Sequence, residues 1–233
     1  QKIGVLMVMI GISYFLKYSF EQGWMGPVAQ VSIGIVIGFL FLGAGEFFEK
    51  KYHTWAHILT GAGIGILYFS LFAARDRFDL FSEVTTFVSM IPVTLGAGYL
   101  SIRYNSLPLA IIGIVGGFLA PILMGSTTPN HTLTISYSLI LSLGVFGIAF
   151  FKPWHLLEFL AFFFCINYWE QGFGLIPLNL SLGLLALFFL MFSCLSFYPQ
   201  ATKKTVVTPW SLCLIILTGI FTYSYLYHLL GSN

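Results

Sequence analysis

The chain alternates between long apolar runs and short polar connections. Each run is continuously apolar over about 20 residues, the length that a helix needs to cross the hydrocarbon core. Unbroken runs predict helices, since the strands of a membrane β-barrel alternate in polarity. The pattern predicts nine spans: Ile3–Phe20, Val28–Phe48, Trp55–Ala74, Val84–Ile102, Leu107–Met124, Leu133–Phe151, Pro153–Trp169, Leu180–Phe197 and Pro209–Leu230. The predicted fold is an all-α, polytopic transmembrane helix bundle.

The composition agrees with a membrane location. The chain is 58% hydrophobic and 8% charged, whereas a soluble globular chain carries about 25% charged residues. The net charge of +2 and the lack of a basic stripe argue against a nucleic-acid partner, so the expected partner is the lipid bilayer. Cys165, Cys194 and Cys213 lie within apolar runs, which indicates buried thiols rather than a disulfide framework.

The basic residues predict the orientation in the membrane. One side of the predicted spans carries seven of the ten basic residues: Lys2, Lys50, Lys51, Arg103, Lys152, Lys203 and Lys204. The other side carries three: Lys17, Arg75 and Arg77. Because cytoplasmic loops are enriched in Lys and Arg, the N-terminus is predicted to be cytoplasmic and the C-terminus outside, in a bacterial inner membrane.

A motif that occurs twice indicates an internal repeat. Phe20-Glu21-Gln22-Gly23-Trp24 closes the first span, and Trp169-Glu170-Gln171-Gly172-Phe173 closes the seventh. The openings of the next spans, Ser32-Ile33-Gly34-Ile35 and Ser181-Leu182-Gly183-Leu184, are displaced by the same register. Spans seven to nine therefore echo spans one to three, which predicts a parallel six-span unit at 1–152 and a partial second unit at 153–233. Chance similarity between low-complexity apolar helices is the alternative.

Several short segments of the first half carry a family resemblance: Ile3-Gly4-Val5, Phe15-Leu16-Lys17-Tyr18, Gly23-Trp24-Met25-Gly26-Pro27, Leu59-Thr60-Gly61-Ala62-Gly63, Leu67-Tyr68, Leu71-Phe72-Ala73-Ala74, Arg103-Tyr104-Asn105-Ser106 and Gly116-Gly117-Phe118-Leu119-Ala120-Pro121-Ile122-Leu123. Together they resemble a large bacterial family of predicted membrane proteins of unknown function. The resemblance implies a longer, multi-span parent protein, so this chain, which lacks an initiator methionine, is expected to be an excerpt. It implies no activity.

Glycine and proline define the main candidate site. Gly34 and Gly38, Gly61 and Gly65, and Gly113 and Gly117 each form G-x-x-x-G, the spacing that lets membrane helices approach closely. The fifth span combines four such residues: Gly113, Gly116, Gly117 and Pro121. Interrupted spans bind solutes in transporters but also bend and pack in ordinary bundles. Packing is favoured, because no charged residue lies beside the interruption.

The ionisable residues give weaker signals. Lys17 in the first span is a candidate buried cation for the glycine and proline site, but a lysine whose ammonium group reaches the headgroups is favoured. His53 and His57 have a metal-ligand spacing, but the turn after Glu49 argues against one shared face, so a polar loop is favoured over a metal site. Glu158 and Glu170 flank the seventh span, where contact with water is the simpler expectation. No metal or cofactor is predicted.

The functional prediction follows from these patterns. No nucleophile elbow, P-loop, dinucleotide fingerprint or zinc-protease motif is present, so no enzyme is predicted. The predicted function is a scaffold or membrane subunit of a cell-envelope assembly, with other envelope membrane proteins or further spans of a parent chain as partners. The alternative is a secondary transporter of a small or lipid-like solute at the fifth span. A haem or quinone-linked subunit is a third and weaker hypothesis.

Overall fold

The computed structural model describes residues 26–124, 131–172, 175–203 and 209–231. Within these residues every regular element is an α-helix, which confirms the all-α prediction. The helices are α1 Pro27–Glu49, α2 His53–Asp76, α3 Glu83–Arg103, α4 Leu107–Met124, α5 His131–Phe151, α6 His155–Gln171, α7 Leu178–Lys203 and α8 Pro209–Gly231. They correspond to the second to ninth predicted spans. The first predicted span lies outside the described residues.

Five of the helices are long and apolar enough to cross a membrane. These are α1, α2, α3, α5 and the segment Pro209–His228 of α8. Helices α4 and α7 contain shorter apolar segments, Leu107–Leu123 and Leu178–Cys194. Helix α6 has 17 residues, carries Glu158 in its first turn, and falls in neither group. The described helices fit a multi-pass membrane protein.

Among consecutive helices, four pairs pack most closely, α1 with α2, α3 with α4, α5 with α6 and α7 with α8, and α4 and α5 each contact four other helices. The contacts of Gly38 with Leu67 and of Gly113 with Ala97 give the antiparallel registers of α1 with α2 and of α3 with α4. Helix α4 contacts α2, α3, α5 and α6, more neighbouring helices than a hairpin alone supplies. Phe118 of α4 is fully buried, and its ring stacks on Phe164 of α6. Short loops favour such antiparallel pairs. Helix α4 joins the first three pairs, whereas α5 contacts α7 and α6 contacts α8.

Glycines set the close approach of α1 and α2. Gly34 and Gly38 of α1 face Ser70 and Leu67 of α2 with no space for a side chain. A Cβ added at Gly63 would lie 2.9 Å from the carbonyl oxygen of Gly38. The interface therefore brings backbone against backbone, the arrangement by which small residues replace the hydrophobic driving force that lipid cannot supply.

The predicted G-x-x-x-G pair on α2 is not the pair that packs against α1. Gly61 faces α4, where its Cβ would lie 3.2 Å from Ile112 Cδ1. Gly65 has no described atom within 4 Å of the Cβ position. Gly63, halfway between them, makes the contact with α1 because the helical repeat of 3.6 residues rotates it onto that face. Gly61 of the predicted motif therefore packs against α4, whereas Gly63, outside the motif, packs against α1.

Gly63→Ala is expected to destabilise the protein, and Gly65→Ala is its matched control. The added methyl group at position 63 meets backbone atoms of α1, which cannot move aside without separating the helices, at a cost of about 1–3 kcal/mol. At position 65 the methyl group enters open space, so the midpoint of unfolding should stay or rise slightly. Thermal unfolding in one detergent measures both; equal midpoints would contradict the α1–α2 interface.

Candidate functional site

The backbone of α4 is interrupted where the sequence predicted a candidate site. Pro121 has no N–H group, so the carbonyl of Gly117, four residues earlier, lacks its usual helical donor. The three glycines preceding Pro121 all lie against other helices. Gly113 faces Ala97 of α3, while a Cβ at Gly116 would lie 2.6 Å from the ring of Tyr68. A Cβ at Gly117 would lie 2.8 Å from Thr94 Oγ1.

Three tyrosine hydroxyls from three different helices donate to carbonyl oxygens of α4. Tyr68 of α2 donates to Gly113 over 2.7 Å, and its hydroxyl also lies 2.6 Å from Thr94 Oγ1. Tyr137 of α5 donates to Gly117 over 3.1 Å. Tyr168 of α6 donates to Phe118. Tyr137 thereby supplies a donor to the carbonyl that Pro121 leaves without one, which matters because unpaired backbone groups are costly in a dry bundle.

Side chains therefore occupy the space that the glycines create. The ring of Tyr68 covers Gly116, and Thr94 and Leu141 lie against Gly117. All three tyrosines are buried, with exposed fractions of 8% or less. The segment of α4 from Gly113 to Pro121, together with the side chains that cover its glycines, is called the junction below. It is held by neutral hydroxyls, and none of the side chains that close it is ionised. Lys17, the cation that the sequence offered as a partner for this site, lies outside the described residues.

A second polar cluster lies where α1 and α3 end. Arg103 Nη2 is 2.5 Å from one carboxylate oxygen of Glu46, and the hydroxyl of Tyr104 donates to the other over 2.6 Å. The chain reverses after Tyr104 because Asn105 adopts a φ of 51°, with Ser106 N–H bonded to the carbonyl of Ser101, the Schellman pattern of a helix end. Burial first, and then the hydrogen bond to Glu46, raises the pKa of Tyr104 to about 12.

The predicted turn after α1 is present, and it brings Glu49 close to both histidines of α2, a contact that the sequence did not indicate. Glu49 Oε1 lies 2.9 Å from His53 Nδ1, and Glu49 Oε2 lies 3.6 Å from His57 Nε2. The ring of His57 stacks on Tyr104 at 5.6 Å, which joins these residues to the Glu46 cluster. Across the described ranges no group of three or more His, Cys, Asp and Glu side chains has an arrangement that could hold a metal ion.

Glu158 differs from its predicted environment. Its side chain is 4% exposed, although the sequence favoured contact with water, and its carboxylate lies 3.4 Å from His155 Nδ1 one turn earlier. The burial follows from the packing of α6 against α4, α5 and α8. Glu170, at the other end of α6, is exposed as predicted. A histidine partner makes burial of a carboxylate tolerable, so a structural role accounts for Glu158.

The second copy of the repeated motif ends α6. Glu170 and Gln171 are exposed, and Trp169 is fully buried against Phe188 and Tyr225. Gly172 has φ −89°, which any residue adopts, so its small size is explained by packing: a Cβ would lie 3.1 Å from Ile135 Cδ1. The first copy, Glu21, Gln22 and Gly23, lies outside the described residues.

Comparison with known proteins adds the family. A family model with the description "Predicted membrane protein (DUF2339)" matches residues 1–231. The chain belongs to this family. No curated protein and no solved structure matches the chain. The match confirms the family resemblance of the segments in the first half of the chain. It also covers the second half, where the sequence resembled the family only loosely. The family's description specifies a membrane protein and no activity.

The tyrosines that close α4 were not singled out from the sequence. Tyr68 lies in one of the segments that resemble the family. Nothing in the sequence indicated that its hydroxyl donates to the carbonyl of Gly113, 45 residues later in the chain. A usable signal was present. Tyr137 and Tyr168 each carry a polar hydroxyl inside an apolar run, and the fifth predicted span contains Pro121. Such hydroxyls need partners when buried, and a proline-interrupted helix offers a carbonyl. Which tyrosine meets which carbonyl depends on helix packing.

The junction predicts an energetic coupling between Tyr137 and Pro121. Tyr137→Phe leaves the Gly117 carbonyl without a donor and should cost about 1 kcal/mol of folding free energy. In a Pro121→Ala background the restored N–H of residue 121 donates to the Gly117 carbonyl. Tyr137→Phe should then lower the free energy of unfolding clearly less than it does in the wild type. A double-mutant cycle of unfolding free energies measures this coupling. Tyr99→Phe, at a residue 63% exposed, is the control; additive effects at 121 and 137 would rule the coupling out.

Proposed function

We propose that this chain is a non-enzymatic structural module of a bacterial inner membrane: a scaffold or membrane subunit of a cell-envelope assembly. The observation that carries the proposal is the closed junction in α4. Gly113, Gly116 and Gly117, which together with Pro121 would line a solute site in a transporter, are covered by side chains of α2, α3 and α5. Residues that hold helices together account for the unusual backbone without a substrate.

The other polar residues of the bundle support the same proposal. Glu46 is paired with Arg103 and Tyr104, and Glu158 with His155, so these two carboxylates have partners within the bundle. Ser142 Oγ lies 3.2 Å from Cys165 Sγ, which links α5 to α6. Polar contacts of this kind join transmembrane helices. These contacts hold neighbouring helices of the described bundle together.

The proposal includes the full predicted topology. It has nine spans with the first predicted span added before α1, a cytoplasmic N-terminus, and a six-span unit followed by half of another. The Glu46–Arg103 contact supports the orientation, because it joins the ends of α1 and α3 at the side that carries Lys50, Lys51 and Lys152. Trp55 and Trp210 support the repeat, because they begin corresponding helices and are similarly exposed, at 66% and 61%.

Gentle extraction of the full-length protein tests the structural role. We expect native mass spectrometry to detect reproducible heavier complexes with the same membrane proteins in repeated preparations. A detergent series separates specific partners from lipid carry-over. A lone monomer or a small homo-oligomer in every detergent would contradict the scaffold proposal and favour transport.

A secondary transporter is the second candidate, and one feature favours it. The α4 carbonyls at Gly113 and Gly117 receive side-chain hydroxyls, which rotate away more easily than a backbone donor can move. Interrupted helices in transporters offer such carbonyls to their solutes. On this hypothesis the closed junction is the empty state of a solute site, and Tyr68 is the group that moves.

Gly117→Leu separates the two functions, with Gly96→Leu as the control. A leucine at 117 meets Thr94, Leu141 and the Tyr68 hydroxyl, so the structural proposal predicts lost folding, seen as aggregation or a markedly lower unfolding midpoint. Gly96 has no described atom within 4 Å of its Cβ position, and its variant should fold normally. A folded, inserted Gly117→Leu protein that has lost solute uptake would support transport instead.

Cysteine labelling tests the orientation. In a cysteine-free background, Leu80→Cys in the α2–α3 loop should react with a membrane-impermeant reagent in intact cells, since this residue is 39% exposed. Lys51→Cys in the α1–α2 loop, also exposed, should react only after permeabilisation. Both substitutions replace loop residues, so effects on folding should be small. The reverse labelling pattern would overturn the proposed orientation.

A further inference from the structure

A groove lies between α3 and α5, and its lining includes Ile114 of α4 together with Thr94 and Leu141, which also contact Gly117 in the junction. Its cavity volume is about 470 Å³. The walls are apolar and include Leu95, Gly98 and Tyr99 of α3 and Gly144, Gly147 and Phe151 of α5. Glycines make the groove: Gly147 has no described atom within 4 Å of its Cβ position, and Gly144 has only Leu95, at 3.8 Å.

The groove opens towards the surrounding membrane. Tyr99 and Phe151 at its rim are 63% and 68% exposed, and Leu143 is 51% exposed. These side chains are apolar or aromatic, so in a bilayer they face acyl chains rather than water. The groove is thus a recess in the lipid-facing surface, which lipid must fill if no protein does.

The length of the groove matches one leaflet. Its walls extend from Ile91 to Ile102 on α3 and from Ile140 to Phe151 on α5. At 1.5 Å per residue each wall is about 16 Å long, roughly half of a hydrocarbon core of about 30 Å. The groove begins near the middle of both helices and ends at their C-terminal ends. A partner helix that crosses the bilayer would need a groove along both leaflets, whereas one lipid acyl chain needs a groove along only one leaflet.

The end of the groove at the membrane surface is positively charged. Arg103 directly follows the lining residue Ile102, and Lys152 directly follows Phe151. Arg103 binds Glu46 through one nitrogen and remains 51% exposed. In the described part of the chain no carboxylate lies within ion-pair distance of Lys152. Basic groups at the mouth of an apolar recess complement a lipid phosphate.

We infer that this groove binds one anionic phospholipid from the leaflet on the side of Lys152. An acyl chain lies against Gly144 and Gly147, and the phosphate and its negatively charged headgroup lie near Lys152 and Arg103. The length of one leaflet argues for a lipid tail, and the basic end argues for an anionic lipid rather than a zwitterionic one.

Native mass spectrometry of the full-length protein tests the inference. Phosphatidylglycerol and phosphatidylcholine with identical acyl chains are the two probes. The wild type should retain one phosphatidylglycerol at ratios at which phosphatidylcholine is lost. At Gly147 no described atom lies within 4 Å of an added Cβ, so Gly147→Leu places its side chain in the groove and should abolish this binding. Lys152→Gln should weaken it about fivefold, the effect of one basic group near an anionic lipid surface.

Gly96→Leu is the matched control, since it adds the same side chain to α3 outside the groove. It should keep the wild-type occupancy. Retention of phosphatidylglycerol by Gly147→Leu would overturn the inference, as would equal retention of the two lipids by the wild type. A change of oligomeric mass in Gly147→Leu would also overturn it, because the groove would then be a contact between two copies of the chain.

Discussion

The structure depends on keeping α4 hydrogen-bonded although Pro121 removes one of its backbone donors. A membrane interior supplies no water to satisfy the carbonyl of Gly117, so another group of the protein must do so. Tyr137 does, and Tyr68 and Tyr168 bond neighbouring carbonyls from two other helices. Each hydroxyl fixes the distance between its own helix and α4. Through these bonds α4 is held by three other helices.

Glycine makes this arrangement sterically feasible. The ring of Tyr68 reaches its carbonyl only because Gly116 has no side chain in its path, and the close approach of α1 and α2 rests likewise on Gly38 and Gly63. Electrostatics contributes at the ends of the helices, where Glu46 joins α1 to α3 through Arg103. Apolar packing, neutral hydroxyl bonds and peripheral ion pairs therefore act at different depths, as the cost of burying charge requires.

The sequence was sufficient for the helical class and for the positions of the eight described helices, because continuous apolar runs determine both. It also identified Gly113, Gly116, Gly117 and Pro121 as a special segment. It could not identify their partners, since the contact of Tyr68 with Gly113 depends on how separate helices rotate and slide against each other. The burial of Glu158 and the approach of Glu49 to His57 were missed for the same reason: both result from tertiary packing.

Hydrogen exchange in α4 tests the central claim most directly. Tyrosine hydroxyls and neighbouring side chains exclude water from the segment around Gly116 and Gly117. The amide hydrogens of this segment should therefore exchange as slowly as those in the middle of α3. Tyr68→Phe should speed exchange in this segment of α4 while leaving α1 unchanged. Fast exchange at Gly116 and Gly117 in the unmodified protein would show a water-filled opening there and would contradict the packed junction.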